Sequence, residues 1–104
     1  MAEKAPRTGG EVKERQRDQT QLPRLFRVVL HNDDYTTMEF VVQVLEQVFE
    51  KGPAEAYGIM MHVHTRGVGV CGTYTHEVAE TKLVTVHELA RLAGFPLRAS
   101  MEEE

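Results

Sequence analysis

LFRVVLHNDDYTTMEFVVQVLEQVF, Leu25 to Phe49, changes its apolar period once, and the place of that change decides the fold. Its first seven residues, LFRVVLH, are rich in β-branched and aromatic side chains and predict a strand. Asn32-Asp33-Asp34 then interrupts the pattern with side chains that make turns and caps by bonding nearby backbone. Thr36, with Glu39 three residues on, matches a capping box, in which a hydroxyl and a carboxylate satisfy opposite backbone donors at a helix start. Met38, Val41, Val42, Leu45, Val48 and Phe49 follow at helical spacing and predict an amphipathic helix that stops near Lys51-Gly52.

Downstream, Pro53 suits the first turn of a second helix, with Ala56, Ile59, Met60 and Val63 on one face and a break at Arg66-Gly67. GVGVCGTYT, Gly67 to Thr75, predicts a strand with Val68, Val70, Gly72 and Tyr74 on one side. A third helix starting around Thr75 to Glu77 turns Ala79, Leu83, Val86, Ala90 and Ala93 inward and ends at Gly94 and Pro96. Leu97, Ala99 and Met101 alternate with polar residues as a last short strand. The order strand, helix, helix, strand, helix, strand predicts an α+β fold, a small sandwich of three helices packed on one face of a three-stranded antiparallel sheet. Upstream, residues 1–21 mix charges with Pro6 and Gly9-Gly10 and offer almost nothing to bury. Ordering them costs entropy without a hydrophobic return, so a disordered N-terminal tail is expected ahead of one domain over residues 22–104.

Composition bounds the function classes. A chain of 104 residues, 41% hydrophobic and 27% charged, has room for one small core and argues against wholesale disorder. A formal net charge of −4 argues against a nucleic-acid partner, which requires a clustered basic surface. The single cysteine, Cys71, has no internal disulfide partner and fits a reducing compartment. No apolar run is long enough to span a membrane, and residues 1–21 lack the hydrophobic centre of a signal peptide, so no membrane partner and a cytoplasmic location are expected.

The candidate chemistry centres on Asn32, Asp33 and Asp34. Composition favours reading them as turn formers; the sharper reading makes them acceptors at the rim of a pocket, where they would orient a protonated amine, a group with three donors and no acceptor. His62, His64, Cys71 and His31 are zinc-type ligands, yet His62 and His64 stand two apart on a predicted helix and point in different directions. The paired spacings of a closed zinc site are missing. Cys71 with a histidine could form a nucleophile and base, whereas a buried, inert thiol in a Val- and Gly-rich strand is the simpler reading. GVGVCG lacks the lysine of a phosphate loop, and Met38, Met60 and Met61 suit either a core or an adaptable pocket.

Three ordered segments, VVLHNDDYTTMEFVVQVLEQVF, IMMHVHTRGVGVCGTYTHEVAETK and PLRASMEE, together resemble the ClpS adaptor family from about Phe26 to Glu103. The resemblance implies a non-enzymatic adaptor, without a cofactor, of the bacterial AAA+ protease ClpAP. Such an adaptor binds proteins that begin with a bulky hydrophobic residue, the N-degrons of the N-end rule (Phe, Leu, Tyr, Trp). It delivers them to a ClpA-type ATPase, whose N-terminal domain it engages. Carried over residue by residue, Asn32, Asp33 and His64 would grip the substrate's α-amino group. Asp34, Thr36, Met38, Val41, Met60, Val63 and Leu97 would form or border the side-chain pocket, with Leu30 beneath. Glu77 and Lys82 would face the ATPase, with Tyr35 and His64 near the same edge, and the tail would serve hand-over. A monomer is expected. The sequence departs from the family where Thr37 replaces a frequent proline, where His31 replaces a commonly apolar residue, and in the apolar run Leu92-Ala93-Gly94-Phe95. The alternative from another class is a small metal-dependent or thiol enzyme using His62, His64 and Cys71.

Overall fold

The computed structural model describes residues 22–104, and the tail expected over residues 1–21 lies outside the described residues. Leu25–His31 form strand β1, in which alternation buries Val28 and Leu30 completely. Arg27 and His31 point to the opposite face, where Arg27 reaches Glu102 at 3.2 Å and His31 Nε2 lies 2.6 Å from Ser100 Oγ. β1 is the central strand. Val68–Thr75 (β2) and Arg98–Glu103 (β3) both pair with it antiparallel, giving the order β2-β1-β3. Helices Met38–Gln47 (α1), Pro53–Arg66 (α2) and His76–Ala93 (α3) pack on this sheet, the three-helix, three-stranded α+β arrangement that the order of periods predicts. Leu30, Leu45, Val28, Val44, Val86 and Cys71 are the largest side chains sealed from solvent, and no polar side chain is buried among the described residues. None of the described helices is long and apolar enough to cross a membrane.

Four local features differ from the expected ones. The cap of α1 is Thr37, not Thr36: its backbone is extended and its hydroxyl accepts from the Phe40 N–H at 3.1 Å. Glu39 therefore stands two residues beyond the cap and no capping box closes, because Thr36 is drawn to Asp33 instead. α1 also ends at Gln47, short of Lys51-Gly52, and the chain turns through Glu50 at φ 57° while keeping Val48 and Phe49 buried. In β2, Val28 faces Gly72 and Val29 faces Val70, which leaves Cys71 as the extra residue of a β-bulge. The bulge resets the alternation, so Val68 and Val70 are exposed while Gly69 and Cys71 are buried and Tyr74 packs against the core. The expected common side for Val68, Val70 and Tyr74 is thus split. Ala93, expected inward, is exposed in the last turn of α3, whereas Ala79, Val86 and Ala90 are buried as their spacing requires.

Glycines set the placement of α2 at two points. Gly67 caps α2 in the left-handed region at φ 93°, its N–H donating to the Val63 carbonyl at 2.9 Å. Gly69 lets α2 lie close against β2, since a Cβ there would stand 2.6 Å from Val63 Cγ2. Gly58, by contrast, is an interior residue of α2 with open space where a Cβ would go. Gly69→Ala should therefore lower unfolding stability by about 1–3 kcal/mol through overpacking, and Gly58→Ala should raise it by about 0.5–1 kcal/mol through helix propensity. Urea midpoints moving in the same direction for both variants would contradict this packing.

Candidate functional site

The turn from β1 into α1 is organised by one carboxylate. Asp33 Oδ1 accepts from the Tyr35 and Thr36 N–H groups at 2.8 and 2.7 Å, and its Oδ2 accepts from the Thr36 hydroxyl at 2.7 Å. Burial pushes the Asp33 pKa up, and these three bonds more than reverse the effect, holding the group below its ordinary value. The start of the loop is tied to the far end of α2 by the Asn32 N–H, which donates to the Gly67 carbonyl at 2.8 Å.

The loop and two helices enclose a cavity of about 220 Å³. Asn32, Asp33, Asp34 and Thr36 line it from the loop, Met38 and Val41 from α1, and Met60, Val63 and His64 from α2. Helical spacing explains the convergence: Met38 and Val41 are three apart on α1, while Met60 stands three and four residues before Val63 and His64 on α2. One side is a wall of oxygens and an imidazole. The other is apolar, with Val41, Met60 and Val63 buried and Met38, 42% exposed, standing at the solvent boundary.

The remaining predicted site residues fall elsewhere. Leu30 and Leu97 are buried in the core and do not line the cavity. Tyr35 projects from the loop, 77% exposed. Glu77 and Lys82 belong to a separate concavity between the end of α1 and the first turns of α3, beside Val48 and Thr81. Lys82 has a structural task that its helical position gave no hint of. Its Nζ donates to the Val48 carbonyl at 2.6 Å and lies 5.4 and 5.9 Å from the ring centres of Tyr74 and Phe49, closing the C-terminus of α1.

His62, His64 and Cys71 are not brought together. His64 lines the cavity, His62 lies in a different groove beside Gly69 and Val70, and Cys71 is sealed in the core. Burial pushes the Cys71 thiol up to about 12, so it is not a thiolate at neutral pH. Among the described residues no three His, Cys, Asp or Glu side chains are grouped to hold a metal ion. His31 also stays outside the cavity. It is engaged by Ser100 on β3, and burial, with Arg98 adding to it against Glu102, holds its pKa below the ordinary value.

Because the folded-state pKa of Asp33 lies below 3.8, its stabilisation is complete above about pH 4 and is lost as the pH falls through the lower, folded value. Asp33→Ala should therefore unfold more readily at pH 7, and its difference from the parent chain should shrink as the pH falls below 3.8. A constant stability difference between the two from pH 7 to pH 2, followed by urea titration, would contradict the bonding of this loop.

A model of the family described as "ATP-dependent Clp protease adaptor protein ClpS" matches residues 21–100. The chain is 60% identical over 95 residues to the ATP-dependent Clp protease adapter protein ClpS of Desulfatibacillum aliphaticivorans, covering 91% of each chain. It is 63% identical over 81 residues to that of Oleidesulfovibrio alaskensis, covering 78% of each. Among solved structures, Agrobacterium tumefaciens ClpS2 bound to L-phenylalaninamide superposes with a TM-score of 0.77 at 40% identity, over 80% of this chain and all of that one. With the family's model spanning the loop, every residue that lines the cavity, and the sheet as far as Ser100, the chain belongs to the ClpS family of adaptors of the ATP-dependent Clp protease.

Proposed function

We propose that this chain binds proteins by a bulky hydrophobic N-terminal residue, Phe, Leu, Tyr or Trp, and delivers them to a ClpA-type AAA+ ATPase without catalysing a reaction itself. The observation that carries this reading is the division of one small cavity into a wall of acceptors and an apolar side. At about 220 Å³ it is smaller than the roughly 300–1,000 Å³ of sites for drug-sized ligands, a volume suited to a single side chain. L-Phenylalaninamide, the ligand of the Agrobacterium relative, joins a free α-amino group to one benzyl side chain, the two chemistries that the two sides of this cavity match.

In this reading Asn32, Asp33 and His64 receive the amino group. Asp33 contributes through Oδ2, which keeps one lone-pair position once the Thr36 hydroxyl is bonded, whereas both positions of Oδ1 are taken by the loop. Asp34 and Thr36 border the entry, and Met38, Val41, Met60 and Val63 surround the side chain, backed by Leu30 and Leu97. The N-terminal domain of the ATPase docks on the surface bearing Glu77 and Tyr35, residues 1–21 assist hand-over, and the adaptor works as a cytoplasmic monomer. Lys82 is a poor probe of docking, since its removal also unpins α1, so Glu77→Ala is the informative variant.

Burying a Phe or Leu side chain contributes roughly 2–3 kcal/mol, so replacing the first residue of a peptide by Ala should weaken binding on the order of 30- to 100-fold. Peptides beginning with Ile or Val should also bind weakly, because branching at Cβ is stiff and places bulk beside Met38 at the mouth. Acetylating the α-amino group removes its charge and donors and should abolish measurable binding. Equal anisotropy titrations for a Phe-initiated peptide with and without the acetyl group would overturn the amine grip. Glu77→Ala should weaken association with the ATPase while leaving peptide affinity unchanged, and the reverse pattern in a pull-down and titration would refute the docking surface.

A further inference from the structure

The two edges of the sheet are defended unequally. β3 carries Arg98, Glu102 and Glu103, whereas β2, VGVCGTYT, has neither a charged side chain nor a proline. The Asn32 N–H donates to the Gly67 carbonyl and Leu30 stands opposite Gly69, so both glycines turn their backbone groups towards β1. Val68 and Val70 alternate with them and direct their N–H and C=O groups outward, where no strand of the described residues pairs with β2. The side chains of these two valines stand on the sheet face opposite Gly69 and α2, 44% and 47% exposed.

Over this edge α2 bounds a groove of about 490 Å³, lined by Glu55, Gly58, Ile59, His62, Gly69 and Val70. The four α2 residues are spaced i, i+3, i+4 and i+7, a stripe down one side of the helix. Gly58 lies in the middle of that stripe, inside the helix, where glycine is destabilising relative to alanine. No atom of the described residues stands within 4 Å of the position its Cβ would take, so packing inside the chain gives no reason for it.

We propose that this edge and groove take a second copy of the chain, related by a two-fold axis through Gly69, as a reversible dimer of the working monomer. Such an axis sets the two β2 strands antiparallel, with Val68 of one copy opposite Val70 of the other. These are the outward-facing residues, so each pair exchanges both N–H···O bonds, and the four valines cover one another on the open face. The same axis relates the two α2 helices. The Ile59 carbonyl oxygen lies 3.6 Å from the Cβ position of Gly69, which places the middle of the stripe beside the axis and runs the helices antiparallel past each other. Glu55 and His62 are equally far along the chain from the Gly58–Ile59 bond, so Glu55 of each copy meets His62 of the other, a carboxylate against an imidazole that donates to it. Gly58 supplies the clearance for the two helices to approach. Strand and helix thus share one centre of symmetry, which an unrelated peptide would not require.

Residues 1–21 do not match a charge-free edge, since they offer one aliphatic β-branched side chain, Val12, among nine charged ones. The bulge at Cys71 ends the regular part of the edge and keeps the shared ladder short. A short ladder with one helix stripe belongs to the small interfaces, below about 1,200 Å² in total, where association is transient. Because His62 lines the groove and His64 the cavity, pairing leaves the cavity of each copy open.

The test uses the full chain. In sedimentation equilibrium the mass should rise from that of one chain at about 5 µM towards that of two at about 1 mM, as a transient interface implies. Val70→Lys, which sets a charge in the ladder, should hold the mass at one chain throughout. His62→Glu places like charges opposite Glu55 twice over and should weaken pairing about fivefold, and adding Glu55→Lys to it should restore the parent's affinity. When dilute, Val70→Lys and His62→Glu should unfold at the parent's urea midpoint, which separates a lost contact from a lost fold. Mild oxidation of a mixture of Val68→Cys and Val70→Cys chains should form a disulfide between the two variants faster than within either alone, since directly opposed residues of a bonded pair stand about 5.5 Å apart at Cα. A mass of one chain over the whole concentration range, or a dimer that survives Val70→Lys without cross-linking in the mixture, overturns the proposal. A synthetic peptide of residues 1–21 that dissociates the dimer overturns it as well, because the tail would then be the occupant of the edge. None of these outcomes bears on the N-degron reading of the cavity.

Discussion

The Asp33 carboxylate, by accepting three hydrogen bonds from within the next three residues, converts an outgoing strand into an incoming helix. Everything the site requires follows from that turn. It draws Thr36 back, leaves Thr37 free to cap α1, and so sets the rotation at which Met38 and Val41 present themselves to the cavity. It also keeps negative charge at the rim, since bonds to the ionised form outweigh the effect of burial. A serine or asparagine would form part of this turn, but neither supplies two acceptor oxygens without a donor of its own.

The opposite end of α1 is held by different means. Lys82 reaches from α3 to the Val48 carbonyl across two aromatic rings, so the helix that forms one apolar wall is fixed at its start by a hydroxyl and at its end by an ammonium. The other wall, α2, owes its place to an absence. Gly69 removes the side chain that would keep Val63 away from β2, and Gly67 ends the helix where its carbonyl can receive the Asn32 N–H of the site loop. The cavity is the space left between two helices whose separation is fixed from outside it.

The parts legible in the sequence are those governed by a repeating period. LFRVVLH, the apolar face of α1 and the Pro53 to Gly67 helix appear where their spacing places them, and with them the order of elements and the type of sheet. Contests between near-equal neighbours were not legible. Thr36 and Thr37 are both competent caps, and only the reach of Asp33 decides between them. V-G-V-C-G fits either phase of a strand, and the bulge that selects one depends on register against β1. The bond from Lys82 spans 34 residues of sequence, beyond any local pattern. At the site, residue types pointed to an acceptor-rich rim, whereas the assignment of Asn32, Asp33 and His64 to an amino group came from family resemblance and not from spacing. Leu30 and Leu97, carried over in the same way, are buried in the core and do not line the cavity.

The bulge at Cys71 has a chemical consequence. With its thiol held near 12, the fraction present as thiolate at pH 7 is on the order of one in 10⁵, and the sulfur is sealed from solvent. Electrophiles and peroxides therefore do not reach this thiol while the sheet is closed. Alkylation of this lone thiol records those moments in which β2 has parted from β1, which makes it an internal clock for the opening of the sheet.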